Sequence, residues 1–310
     1  MNVEARARTL PRRVIDTIRR TAMWSHGQRV LIAVSGGVDS TVLMHVLHQT
    51  AGAHGADLAV VSVDHGLRAE SKNEVMRVGQ TAQRLGLPFH DFCLNLQPGS
   101  NLAARARDGR RDAMLGLGFD FIATGHHEDD QAETVLHNML RGSGARGLRG
   151  MQPRDGQWVR PLLFEPRLVI EAWARSQGLR WEEDPSNSAS QRGRIRALMP
   201  QLDSLHGGAS RALARSARLL AREDAFLSSM VDDAYESLVQ GEGISRRGLS
   251  ALHPALQLRI LRKLVGSRTV RADPLESVVD GGLQEQGTLD LGGGLRLRLE
   301  KGVLTVENAS

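Results

Sequence analysis

VLIAVSGGVDS, residues 30–40, decides the fold. Val30, Leu31, Ile32, Ala33 and Val34 form a short, uncharged run rich in β-branched residues, the pattern of a strand buried on both faces. The chain then breaks at Ser35-Gly36-Gly37 and resumes with Val38, Val42, Leu43, Val46 and Leu47 at helical spacing. A buried strand, a glycine turn and a new helix leave backbone N–H groups at a positive helix end, where a phosphate binds. Two glycines let the backbone approach an anion with no Cβ in the way. Ser35 and Ser40 add hydroxyl donors, and Asp39 is suited to hold a Mg²⁺ that bridges phosphates. No Lys follows the glycines, so this is not a Walker loop. A glycine turn that merely packs a helix on a sheet is the plainer alternative.

Outward from this loop, strand and helix alternate. Residues 57–64 (DLAVVSVD) read as a second strand, 70–86 as a helix, and 87–92 as the lead into a short third strand. A helix is expected over 101–117 and a fourth strand over 119–124. This order predicts an α/β fold with a doubly wound parallel sheet, which binds ligands at the carboxyl ends of its strands. The chemistry-bearing residues fall at those ends: Ser35 to Ser40, Asp64-His65-Gly66-Leu67-Arg68, and Gly125-His126-His127. Residues 203–208 (DSLHGG) read as a hinge, dividing the chain into domains 1–202 and 203–310. The second domain is expected to be smaller and mainly helical. It would start with a long helix over 209–239, continue with a helical stretch from Leu249 to Val265, and end in short strands around Gly292–Gly294 and Lys301-Gly302.

The 310 residues, 41% hydrophobic and 24% charged, suit a globular protein with ample core. No apolar run reaches the roughly 20 residues that span a membrane. The Arg-rich start lacks the apolar core of a signal peptide; Val14, Ile15 and Ile18 suit a short docked helix instead. A single cysteine, Cys93, excludes an internal disulfide framework and a Cys-rich metal site, and points to the cytoplasm. A net charge of +5 suggests a polyanionic partner, and the surplus lies before residue 203, since the remainder carries 14 basic and 14 acidic residues. Aromatics at 4% argue against a base-stacking sheet of the RRM kind.

GHHEDDQAET, residues 125–134, is the second concentration of chemistry. His126, His127, Asp129 and Asp130 have the types of metal ligands, but adjacent histidines point apart and nothing at ligand spacing completes a zinc site. A capping role for Asp129 or Asp130 at the start of the next helix is the structural alternative.

The run continues through LHNMLRGSGARGLRGM, then WVRPLL (158–163), WEEDPSN (181–187) and RGRIRALMP (192–200). With SGGVDS and VDHGLR, these motifs over residues 28–200 resemble the tRNA(Ile)-lysidine synthetase family of N-type ATP pyrophosphatases. The resemblance implies an adenine-nucleotide α-hydrolase-like fold and a catalytic domain followed by a tRNA-contacting one, in a short form of the family. It implies a ligase that joins L-lysine to the wobble cytidine of a CAU-anticodon tRNA(Ile), using ATP and Mg²⁺. The cytidine is first adenylated and the lysine amine then displaces AMP.

By the same resemblance, Ser35, Gly36, Gly37, Val38, Asp39, Ser40, Asp64 and His65 are the expected nucleotide contacts, with Asp39 the metal ligand. Asp39, Asp130, Arg192 and Arg196 are the expected catalytic residues. Arg68, Arg107, Arg110, His126, His127, Asp129, Glu133, Arg141 and Arg194 are expected substrate contacts. Asp130 is the first choice to hold the lysine ammonium and help remove its proton. Arg146 and Arg149 share a glycine-rich loop with Arg141, and Arg211, Arg215, Arg218 and Arg222 make one stripe of a helix, either a phosphate track or simply a solvated face. The chain departs from the family pattern at Ala103, Arg111 and Gly193, which blurs the tRNA and lysine contacts. Rival readings are a tRNA-thiolating enzyme, for which Cys93 lacks a second cysteine, an amide-forming ATP pyrophosphatase, and a non-catalytic RNA-binding protein. No membrane partner is expected, and monomer and homodimer stay open.

Overall fold

In the computed structural model, which describes residues 2–64, 71–94, 99, 102–182, 191–266, 268, 270 and 272–309, two helices precede the first strand. For Ser71, Ala103, Gln191, Arg192 and Ala272 it describes the backbone alone. The first helices are α1 (Val3–Arg8) and α2 (Leu10–Arg20), and α2 buries Leu10, Val14, Ile15 and Ile18 as its spacing predicts. Then come β1 (Arg29–Ala33), α3 (Val38–Gln49), α4 (Ala51–His54), β2 (Asp57–Asp64), α5 (Ser71–Arg84), β3 (Phe89–Cys93), α6 (Leu102–Leu115) and β4 (Phe121–Ala123). They are followed by α7 (Glu128–Leu140), α8 (Ala145–Leu148), a hairpin of β5 (Arg154–Asp155) and β6 (Trp158–Val159), α9 (Arg167–Ser176) and α10 (Gln191–Leu205).

The strands order as β3-β2-β1-β4-β6-β5, all parallel except β5, which pairs antiparallel with β6. The sheet is buried on both faces, so β1 has no polar side. Val30 and Ile32 join a core with α2, α3 and α9, while Leu31 packs on the other face with Met114 of α6. Each such fully buried aliphatic side chain contributes about 1.5–3 kcal/mol. Strand order reverses between β1 and β4, the switch point at whose carboxyl end parallel sheets of this kind bind ligands.

His54, at the end of α4, is buried, with Nε2 2.9 Å from the Leu47 carbonyl and Nδ1 accepting the Ala56 N–H at 3.1 Å. Burial holds its pKa below the usual 6.5, outweighing its backbone hydrogen bonds. The fold therefore favours the neutral ring. That stabilisation is complete above pH 6.5 and is lost as pH falls through the lowered folded value. Urea midpoints taken from about pH 7.5 down to about pH 5 should fall less steeply for His54→Gln than for the unaltered chain.

Contacts divide the chain into two units, Met1–Leu220 and Ala221–Ser310. The boundary lies inside α11 (Ala209–Leu238), whereas the hinge was expected at 203–208. Those residues make the end of α10 and a turn. The first turns of α11 belong to the first unit, since Ala214 and Ala217 are buried there and Arg218 pairs with Glu128.

The second unit continues with β7 (Val239–Gln240), β8 (Gly243–Ser245), α12 (Arg246–Ser250), α13 (Pro254–Val265), α14 (Ala272–Val279), β9 (Gly287–Gly292), β10 (Leu295–Glu300) and β11 (Val303–Asn308). Its sheet runs β7-β8-β11-β10-β9 and is antiparallel. In β10, Leu295, Leu297 and Leu299 face the core and alternate with exposed Arg296, Arg298 and Glu300. The single helical stretch expected from Leu249 breaks at Pro254, whose missing N–H suits the first turn of a new helix capped by His253. Buried Asp224 takes a 2.6 Å bond from Arg259, which ties α11 to α13 within this unit.

Candidate active site

The loop after β1 is closed by its own serines. Ser40 Oγ donates to the Gly37 carbonyl at 3.1 Å, accepts the Ser35 N–H at 3.1 Å, and lies 3.3 Å from Ser35 Oγ. Gly36 sits at φ 89°, a left-handed conformation that strains any residue with a Cβ. Gly37 is the N-cap of α3, so the N–H groups of the first turn lack intrahelical partners, and the turn follows the carboxyl end of β1. Asp39 stands in that turn. Its Oδ1 is buried and has no hydrogen-bond partner among the described residues. A carboxylate oxygen left bare beside a helix N-terminus fits a cation shared with phosphate oxygens. Among the described residues no three acidic, His or Cys side chains form a ready metal cage, so Asp39 would need such oxygens to complete the shell.

The loop after β4 is pressed against this turn. A Cβ on Gly125 would lie 2.9 Å from the Ser40 nitrogen and 3.0 Å from the Asp39 carbonyl carbon. Two residues on, His127 is the N-cap of α7 and only 2% exposed. Its Nε2 lies 3.3 Å from Asp130 and 3.6 Å from Asp39, and its Nδ1 lies 3.5 Å from Asp129. Burial works against charging the ring, but Asp130, Asp129 and Asp39 outweigh it and hold the pKa up to about 10. His127 is thus a fixed imidazolium between the metal-type carboxylate and the start of α7.

Asp130 also accepts the His127 backbone N–H at 3.1 Å, which closes α7, and its other oxygen lies 3.5 Å from Arg196 of α10. Glu133, buried one turn on, takes Arg196 in a two-point pair at 2.6 and 3.1 Å. Asp129 turns the other way and accepts the Arg167 N–H at 2.8 Å, at the start of α9. Burial would raise its pKa, but the neighbouring His127 ring and the Arg167 N–H bond hold it below the usual carboxylate range. Asp130 therefore does the capping work considered as the alternative reading, while still facing Asp39's partner, whereas Asp129 serves the first turn of α9 instead of that of α7. His126 lies 2.8 Å from Thr124 Oγ1 through Nδ1.

The other expected site residues divide. Asp64 is buried at the end of β2. His65 and Arg68 lie outside the described residues, as does the Arg192 side chain. Arg194 is exposed on α10; Arg107 is exposed and Arg110 half-buried on α6. Burial lowers the Arg110 pKa, with Arg107 adding to the effect. Arg141 and Arg146 are exposed on the loop between α7 and α8 and its short helix. That loop is latched by Gln131, whose amide accepts the Met151 N–H at 2.8 Å and donates to its carbonyl at 2.9 Å. Arg211, Arg215 and Arg222 are exposed on α11. Arg218 instead pairs with Glu128 at 3.5 Å and lies 5.7 Å from the Phe164 ring centre.

Sequence reading missed Gln131, Arg167, Glu165 and the close approach of Gly125. Of these only Gly125, a glycine between strand and helix, carried a local signal.

A parallel sheet with these two loops facing each other at its switch point is the nucleotide-binding arrangement of the PP-loop proteins, and the PP-loop domain family matches residues 8–202. A U34-tRNA thiolase from Methanococcus maripaludis, solved with its [4Fe-4S] cluster, shares the fold at a TM-score of 0.58 and 20% identity, over 70% of this chain and 80% of that one. The tRNA(Ile)-lysidine synthase of Solibacter usitatus is 38% identical over 78% of this chain, which spans 58% of that relative's length. The Pseudomonas syringae pv. tomato enzyme of the same name is 36% identical over 84% of this chain and 59% of its own length. That of a Bradyrhizobium species is 34% identical over 90% of this chain and 89% of its own length. The chain belongs to the tRNA(Ile)-lysidine synthase family.

Proposed function

We propose that this chain joins L-lysine to C2 of the wobble cytidine in a CAU-anticodon tRNA(Ile), in the cytoplasm, with ATP as the energy source. Residues 1–202 would carry the chemistry, and the C-terminal region would contact the tRNA. The observation that carries this reading is the apposition of the Asp39 turn and the His127–Asp130 turn, bridged by one imidazolium.

In the first step the cytidine O2 attacks the α-phosphorus of ATP, the bond to the β-phosphate breaks, and pyrophosphate leaves. Negative charge grows on phosphate oxygens. The N–H groups opening α3 and the guanidinium of Arg196 are the chain's donors for it. Asp39 would hold Mg²⁺, which neutralises phosphate charge when bound.

In the second step the lysine ε-amine attacks C2 and AMP leaves with the electrons of the C2–O bond. Lysine arrives as an ammonium, with a pKa of about 10.4, so a carboxylate has to hold it and draw off a proton. Asp130 has that place. His127, charged below about pH 10, serves as a fixed cation that aims the carboxylates, not as the base.

The test is AMP and pyrophosphate release from ATP and CAU-anticodon tRNA(Ile), with and without lysine. Lysine-dependent AMP with a matching mass gain on the tRNA supports the reading; pyrophosphate absent under every condition sinks it. Asp130→Asn should slow lysine transfer by about 100-fold while reducing adenylation far less. Equal loss in both half-reactions would move the amine-holding role elsewhere.

A further inference from the structure

We propose that Glu165 is a positioning residue, braced from α2 by Arg13, that sets where α7 begins and so where His127 and Asp130 stand. The inference rests on the ligase reading only for its kinetic arm.

Two residues either side of a proline grip two at the start of α7. The Glu165 carbonyl accepts the Glu128 N–H at 3.0 Å, the first amide of α7. Two residues later the Arg167 N–H donates to Asp129 at 2.8 Å. The gripped pair, Glu128 and Asp129, sits between His127 and Asp130. The grip holds only as far as the segment 165–167 is itself held; the Glu165 N–H bonds the Leu162 carbonyl at 2.9 Å, and the long-range anchor is the Glu165 side chain. That carboxylate is buried and takes Arg13 at 3.0 and 3.2 Å through Nε and at 2.7 Å through Nη2, with Arg6 of α1 3.6 Å away. A two-point pair fixes direction as well as distance. Pro166 between the gripping residues has its φ locked, so a movement of the Glu165 side chain is carried into both backbone contacts.

The result is a line of force from the N-terminal helices to the site. Among the described residues Arg13 touches none of the site residues; its Nη1 donates to the Arg6 carbonyl at 2.6 Å and to Thr9 Oγ1 at 2.5 Å, both within the N-terminal helices, so its path to the site runs through Glu165. Displacements of about 1 Å around reacting groups lower rates by about 100-fold, so a brace of this kind shows in turnover.

The experiment uses the full chain and three variants, Arg13→Met, Glu165→Gln and the two combined, with Arg13→Lys as the conservative control. Lysine-dependent AMP formation is measured per mole of folded protein, and amide hydrogen exchange is followed at Glu128 and Arg167. The expected result is a kcat loss of about 10- to 100-fold in each single variant, with KM for ATP within about twofold of the unaltered chain. The double variant should be no worse than the worse single, because both break one link. Arg13→Lys should recover part of the loss. Exchange at Glu128 and Arg167 should accelerate while the amides of β1 stay protected. Unaltered turnover with both amides still protected overturns the brace. So does exchange that rises across the whole sheet in step with a loss of folded protein, which marks a merely structural pair. If the unaltered chain ignores lysine, the ligase reading fails by itself, and the exchange measurement still decides the brace.

Discussion

Asp39→Asn should lower ATP-dependent pyrophosphate release by at least about 100-fold, with the thermal midpoint within a few degrees of the unaltered chain's. The two halves of this expectation have separate causes. Turnover falls because Asp39 Oδ1, buried and without a hydrogen-bond partner among the described residues, is the oxygen available to a cation in the phosphate-binding turn. An amide of the same shape lacks the charge to hold that cation and cannot offset phosphate repulsion. The fold survives because three carboxylates surround one imidazolium, so the cluster carries excess negative charge. Removing one acid weakens an attraction to His127 and relieves a repulsion from Asp130. Pyrophosphate release at saturating ATP, followed across a Mg²⁺ titration, checks the first half, and a melting curve checks the second. Turnover within tenfold of the unaltered chain would take Asp39 out of the metal role.

The parts of this site that follow from short-range chemistry were legible in the chain. β2 occupies the run read as a strand, Asp57–Asp64, because a short apolar run rich in valine and bounded by aspartates suits a strand buried on both faces. The glycine turn at residues 35–37 and the acidic start at 128–130 announce a helix N-terminus by composition alone. Their meeting in space followed from the topology rule for parallel sheets. Partners far apart in sequence leave no such trace. Arg13 and Glu165 are 152 residues apart, and Asp129 and Arg167 are 38 apart. Periodicity set Arg218 on the polar stripe of α11, but not that the buried carboxylate of Glu128 would meet it there. Burial raises the Glu128 pKa, and the neighbouring Arg218 and Arg211 oppose that. The β5–β6 hairpin escaped because two-residue strands are shorter than the period that betrays a strand. Ser40 shows a second job beside the one its position announced: three contacts make it the closer of its own loop, a role that a serine after a glycine turn does not declare.

Gly125→Ala should lower turnover by about 100-fold and stability by about 1–3 kcal/mol, a large effect for one methyl group. Gly125 is not among the positive-φ residues, so backbone strain is not the cause. The cause is contact. The added Cβ would meet the Ser40 nitrogen at 2.9 Å, the Asp39 carbonyl carbon at 3.0 Å and the Asp39 oxygen at 3.2 Å, all of them main chain. A side chain can rotate out of such a clash, whereas the first turn of α3 is tied to the sheet through Val34 and to itself through Ser40. The loop after β4 must therefore retreat and carry His127 away from Asp39, opening a gap of 3.6 Å that the imidazolium bridges. Gly52→Ala in α4 is the matched control. Nothing lies within 4 Å of its Cβ position, and alanine there should stabilise the chain by up to about 1 kcal/mol with turnover unchanged. Urea unfolding and lysine-dependent AMP formation on the two variants separate the outcomes. Equal turnover in both would mean that the spacing of the two loops does not limit the chemistry. Loss in Gly125→Ala alone, with ATP binding retained, would place the rate in the approach of the second loop to the first.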